Sequence, residues 1–187
     1  MQKKRDRKPT RVTSGDLETI ALDYLARFAT SQKRVADMLT RRIRRSAHFH
    51  GDDPEPMLAA VPGVIQSLVA KKLLDDAAFA GMKATSLTRR GGSRRQVSAK
   101  LAQFGVDSAT REGAIAALNE EFGETDLAAA ITYAKRRRLG PYRARHIAGA
   151  ERQAQERRDL AAMARAGFSF ALARRVLQSD IEIEPED

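Results

Sequence analysis

A chain of 187 residues with 42% hydrophobic content is long enough to bury a core, as one domain or as an array of small ones. Its 34 Lys and Arg against 24 Asp and Glu give a formal charge of +10, so the expected partner is a polyanion or an acidic protein surface. With no cysteine there is no disulfide framework, thiolate metal site or cysteine nucleophile. No run approaches the roughly 18 apolar residues that span a bilayer, and no apolar segment follows the basic N-terminus, so neither secretion nor membrane insertion is expected and the cytoplasm is the expected compartment.

Lys3, Lys4, Arg5, Arg7, Lys8 and Arg11 crowd residues 1–13, which read as a disordered basic tail. Leu17, Ile20, Ala21, Tyr24, Leu25 and Phe28 then recur at helical spacing behind a cap pair, Thr13 and Asp16. Ser31 caps a second helix whose apolar stripe is Val35, Met38, Leu39 and Ile43, leaving Lys33, Arg34, Arg41, Arg42, Arg44 and Arg45 for other faces. His48 to Pro56 reads as a loop. A third helix carries Leu58, Val61, Ile65, Leu68 and Leu73, with Pro62 either kinking it or marking its true start. These three make a first triplet, residues 14–74.

A second triplet, residues 75–123, opens where Asp75 can accept from the free N–H groups of a new helix while Leu74 and Phe79 take the positions of a hydrophobic staple. Gly91-Gly92 supplies the left-handed residue that ends this helix, and Ser93 with Gln96 makes a capping box for the next. Arg89, Arg90, Arg94 and Arg95 therefore sit at one helix-helix corner. Helices near 76–90, 94–104 and 107–121 turn Val97, Leu101, Phe104, Ile115, Leu118 and Phe122 inward, with Gly105 and Gly123 just past helix ends. The third triplet, residues 124–179, has Leu127, Ile131 and Ala134 on a helix that runs into Lys135-Arg136-Arg137-Arg138, an interruption at Gly140-Pro141, and helices near 144–165 and 169–179. Asp180, Glu182, Glu184, Glu186 and Asp187 form an acidic disordered tail, residues 180–187. No window alternates as a strand must, so the fold class is all-α, an elongated array of three tandem three-helix repeats whose short triplets stack to stabilise one another.

The segment from Leu73-Leu74-Asp75-Asp76 through Phe79-Ala80 to Arg89-Arg90-Gly91-Gly92-Ser93-Arg94-Arg95-Gln96-Val97 resembles the second repeat of the RecX family, small regulatory proteins that act on the RecA recombinase. The resemblance continues through Lys100, Leu101, Phe104, Gly105 and Val106. It returns at Glu156-Arg157-Arg158-Asp159-Leu160, Ala166-Gly167-Phe168-Ser169 and Arg174-Arg175-Val176-Leu177. It also takes in Ala21-Leu22-Asp23-Tyr24-Leu25 and Ser31 to Leu39, so order and spacing carry it across roughly residues 16–179. The stretch Arg44 to Pro56 is longer and more polar than the family's usual joint, Gly91-Gly92-Ser93 stands where the family often has Gly-x-Gly and Pro, and the third triplet matches least. The resemblance implies a non-enzymatic regulator that binds RecA and its filaments on single-stranded DNA, restrains filament growth, ATP hydrolysis and strand exchange, and so modulates recombination, DNA repair and the SOS response.

Candidate contact residues are the recurring cations: Lys33 and Arg34 at the second helix of the first triplet, Arg94 and Arg95 at that of the second, and Arg157 and Arg158 in the third. To these belong Arg89, Arg90, Lys100, Arg136, Arg137, Arg138, Arg143 and Arg145. Arginines are also ordinary formers of wet helix faces; recurrence in a chain of this charge favours binding to phosphates or acidic side chains. Trp is absent and aromatics are 5%, so any DNA contact is expected to be backbone-led, with Tyr142 placed to touch a base or a protein. The His48-x-His50 pair near Asp52 and Asp53 lacks further spaced ligands and reads as a solvated loop. Asp75 and Asp76 are explained as caps without a nuclease's metal, and no Gly-x-x-x-x-Gly-Lys loop for ATP is present. No cofactor or metal is expected, and a monomer is. The alternative function is a sequence-nonspecific architectural protein that acts by occupying DNA.

Overall fold

Capping chemistry sets most helix boundaries. The computed structural model describes residues 9–122, 125–143 and 150–178, the side chains of 121, 122 and 150 excepted, and among the described residues there are nine α-helices and no strand. They are α1 (Asp16–Leu25), α2 (Gln32–His50), α3 (Glu55–Ala70), α4 (Asp76–Arg89), α5 (Arg94–Gln103), α6 (Ser108–Phe122), α7 (Thr125–Arg137), α8 (Ala150–Arg165) and α9 (Phe170–Gln178), with a 3-10 turn at Gly140–Tyr142. The all-α class is as expected. Among the described residues no helix is long and apolar enough to cross a membrane. Residues 1–8, Gly123, 144–149 with Arg145, and 179–187, on which the two tails and one predicted helix start fall, lie outside the described residues.

Asp75 caps α4 by accepting the Ala78 N–H at 2.9 Å, and Leu74 and Phe79 are both buried. The helix ends in a Schellman turn: Gly91 at φ +83° donates to Thr88 O, and Gly92 donates to Leu87 O. An alanine Cβ at Gly91 would also lie 2.8 Å from the backbone nitrogen of Tyr133 in α7, so only glycine fits. Lys72 (φ 57°) and Arg138 (φ 54°) close α3 and α7 in the same way without glycine, at some conformational cost.

Several expectations are corrected. Gly15, and not Thr13, occupies the N-cap of α1; the Asp16 carboxylate instead receives the Thr13 N–H and hydroxyl, locking the entering turn. Because α1 stops at Leu25, Phe28 falls out of period and is exposed, resting on Tyr24 at 5.1 Å between ring centroids. His48–His50 are helical, since Gly51 at φ +73° is the first residue able to cap α2, and Pro62 lies inside α3, which starts earlier at Glu55 behind Pro54. Leu73 lies past the end of α3 and is exposed. In α7 Thr125, Ala129 and Ala130 are buried along with the expected Ala134, while Leu127 and Ile131 are half-buried, because the small residues let neighbouring helices approach.

The chain divides into two compact units within α4. One comprises the described residues to Phe79 together with Phe104–Val106; the other comprises Ala80–Gln103 and the described residues from Asp107 on. The first core gathers Leu17, Leu39, Ile43 and Leu68, all fully buried, each contributing about 1.5–3 kcal/mol relative to exposure. Residues 9–13, expected in a solvated tail, are tied to this unit: Val12 is buried and donates its N–H to Ser46 Oγ, Arg11 pairs with Asp52, and Pro9 O meets His50 Nε2 at 2.9 Å. The second core gathers Met163, Ala166, Phe168, Ala173 and Val176 with the α7 alanines, where α9 packs on α7 and α8.

Candidate basic interface

Two joints of the same design position the cations. In the first unit Ser31 caps α2 by accepting the Arg34 N–H, and its hydroxyl donates to the carbonyl of Phe104. In the second Ser93 accepts the Gln96 N–H at 3.2 Å and donates to Ala166 O at 2.6 Å. Both hydroxyls reach a carbonyl 73 residues further along the chain. Each joint adds an aspartate from the first turn of another helix: Asp76 accepts the Gln32 N–H at 2.8 Å, and Asp126 accepts the Arg94 N–H at 3.3 Å. Each also seats a left-handed glycine against a cation's stem, Gly105 (φ +78°) on Lys33 and Gly167 (φ +87°) on Arg95. The serines were readable as caps, but their second bond was not. Its only trace in the sequence is the pair Phe104-Gly105-Val106 and Ala166-Gly167-Phe168, each at the same distance beyond its serine.

Lys33 therefore packs with its stem and pairs its Nζ with Asp37 at 3.0 Å, while Arg34 lies over the Phe104 ring at 4.8 Å. Arg94 and Arg95 are exposed at the start of α5, as is Lys100, whose Nζ bonds Gln103. Arg89 and Arg90 line a shallow groove on α4 with Met82, Thr85 and Ser86, and Arg136 Nη1 donates to Arg90 O at 3.0 Å, drawing the α7 terminus to the same corner. Arg137 stands 5.9 Å from the Tyr133 ring, and Arg136, Arg137 and Arg138 are all exposed. Arg157 and Arg158 are exposed on α8. Arg89, Arg90, Arg94 and Arg95 thus flank one turn with Arg136 beside it, whereas Lys33 and Arg34 belong to the other unit.

Arg143 has a different setting. Its Nη2 lies 2.9 Å from both oxygens of Asp159, which is buried and also accepts from Gly140 N and Gln155 Nε2. The pair pins the Gly140–Tyr142 turn against α8. Asp159, hidden in a sequence run that looks solvated, is a structural residue that sequence reasoning passed over. Tyr142 is half-buried in that turn, its phenol pushed up by burial, with Lys135 Nζ 5.9 Å from its ring. At the other end of the chain, a hydrogen bond from Arg11 holds the Asp52 carboxyl below the usual range. Among the described residues no group of three or more His, Cys, Asp or Glu is placed to hold a metal ion.

No protein-family model matches the chain. It is 39% identical over 181 residues to the regulatory protein RecX of Myxococcus xanthus (strain DK1622), covering 95% of this chain and 94% of the relative. To the regulatory protein RecX of Agrobacterium fabrum it is 35% identical over 167 residues, covering 89% and 84%. The crystal structure of RecX from Lactobacillus salivarius superposes with a TM-score of 0.65 at 17% identity over 88% of this chain and 94% of that one. A second, of regulatory protein RecX, gives 0.62 at 19% identity over 89% and 74%. These two share the fold.

Proposed function

Since the chain belongs to the RecX family of regulatory proteins, we propose that it is a non-enzymatic modulator of the RecA recombinase in the cytoplasm, acting as a monomer on RecA and its filaments on single-stranded DNA. It restrains filament growth, ATP hydrolysis and strand exchange, and so regulates recombination, DNA repair and the SOS response. The observation that carries this reading is the near full-length identity to a RecX regulatory protein. The recurring serine joints support an organisation as three tandem helix triplets, residues 14–74, 75–123 and 124–179, with exposed cations returning at α2, α5 and α8. Arg89, Arg90, Arg94, Arg95 and Arg136 are the contact residues of the middle of this array, meeting acidic side chains or phosphates.

The formal charge of +10 favours a second reading, a protein that coats DNA by itself. RecA ATPase on single-stranded DNA, titrated with this protein well below the recombinase concentration, separates them. Inhibition that persists in a large excess of DNA is expected; inhibition abolished by that excess would hand the function to DNA occupancy. Charge reversal at Arg94 and Arg95 is expected to weaken filament binding at least tenfold, and unchanged binding would remove the α5 face from the interface.

A further inference from the structure

The groove on α4 is lined by Met82, Thr85, Ser86, Arg89 and Arg90. Met82 is 53% exposed, and among the described residues neither arginine is ion-paired with a carboxylate. The site is therefore amphipathic, one thioether beside two guanidinium groups, with Arg136 adding a third at its rim. Residues 179–187 have the complementary pattern: Asp180, Glu182, Glu184, Glu186 and Asp187 carry five negative charges and no positive one, and Ile181 and Ile183 alternate with them.

The second unit also brings this segment's origin close to the groove. Leu177, near the end of α9, touches Gly140, where an added Cβ would stand 3.1 Å from the Leu177 backbone. Gly140 follows the end of α7, four residues beyond the Arg136 that bonds Arg90. At 3.8 Å per residue the path from Leu177 to Arg136 is at most about 20 Å, and nine extended residues reach about 30 Å.

We propose that the acidic segment 180–187 docks in the α4 groove of its own chain, its carboxylates on Arg89, Arg90 and Arg136, as an internal competitor for the basic corner. Tethering holds it there at an effective concentration in the millimolar range, so even a weak contact is occupied, and an acidic partner must displace it. Salt loosens the contact by screening. The docking does not depend on which partner the corner binds; its competition with a DNA strand rests on the corner taking phosphates.

The chain has no cysteine, so Pro185→Cys gives a single attachment point for a nitroxide without removing a charge. With 13C-methyl methionine, the Met82 methyl signal is expected to lose more than half its intensity at 50 mM salt and to recover it at 1 M. In the same labelled chain carrying Arg89→Glu and Arg90→Glu, both exposed positions, the signal is expected to keep its intensity at low salt. An unaffected Met82 in the first chain, or equal loss in both, would overturn the proposal. Replacing Glu182, Glu184 and Glu186 with Gln is expected to raise affinity for an oligo-dT strand several-fold in the parent and not in the Arg89→Glu, Arg90→Glu chain. An equal gain in both would reduce the effect to net charge and overturn the groove.

Discussion

At Ser31 the receiving carbonyl belongs to Phe104, whose ring meets Phe79 edge-on at 5.3 Å and lies under Arg34; at Ser93 it belongs to Ala166, and the aromatic contact is displaced two residues to Phe168, which meets Tyr133 at 5.6 Å. The hydrogen-bond frame is the same in both: cap serine, carbonyl, left-handed glycine, and an aspartate on the first N–H of the capped helix. Only the filling differs. Backbone partners are therefore what this architecture holds constant, and side chains around them are free to specialise, in the first unit toward a stacked arginine.

The sharpest test of that equivalence is at the glycines. At Gly105 an added Cβ would lie 2.6 Å from Lys33 Cβ, an atom fixed to the backbone, whereas at Gly167 the tightest fixed neighbour is Arg95 Cβ at 3.0 Å. Both carry the penalty of a left-handed backbone, so Gly105→Ala is expected to cost about 4 kcal/mol and Gly167→Ala about 3 in urea unfolding. The reverse order would mean that the first joint yields more easily than its closer packing implies. A smaller effect is expected from removing the hydroxyls. Ser31→Ala and Ser93→Ala each remove a cap and the hydrogen bond to the Phe104 or Ala166 carbonyl, about 2 kcal/mol apiece. A cost below about 0.5 kcal/mol at Ser31 alone would show that Phe104, and not the hydrogen bond, holds the first joint.

Much of the frame was legible because it is local. Asp75 with Leu74 and Phe79, and Gly91-Gly92 before Ser93, fix helix ends through contacts within six residues, and the structure reproduces both ends. The overrun of α2 to His50 was hidden because His48 to Pro56 is polar enough for a loop, yet exposed residues such as His48 and His50 are at ease on the wet face of a long helix. Ala129 and Ala130 of α7, unlike Ala134, were passed over because alanine fits a core and a surface equally well. Lys33 and Arg95 read simply as cations; that their stems also seat a glycine from far along the chain is a long-range fact with no local signature. For the same reason nothing local marks Asp76 and Asp126 as acceptors for the first N–H of another helix.

The smallest expected effect bears on the one feature the first joint has and the second lacks. Arg34 is both a candidate contact residue and a structural cation over Phe104, so a loss of filament binding in Arg34→Ala would by itself be ambiguous. A double-mutant cycle with Phe104→Leu resolves it. The half-buried pair should couple by about 0.5–1 kcal/mol in unfolding experiments, with no counterpart for Gln96, which occupies the matching place after Ser93. If coupling appears and Phe104→Leu, which leaves the charge in place, retains filament binding, the guanidinium acts at the interface in addition to the joint. If Phe104→Leu weakens binding as much as Arg34→Ala, the aromatic ring is what aims the charge, and the specialisation of the first joint is itself part of the binding surface.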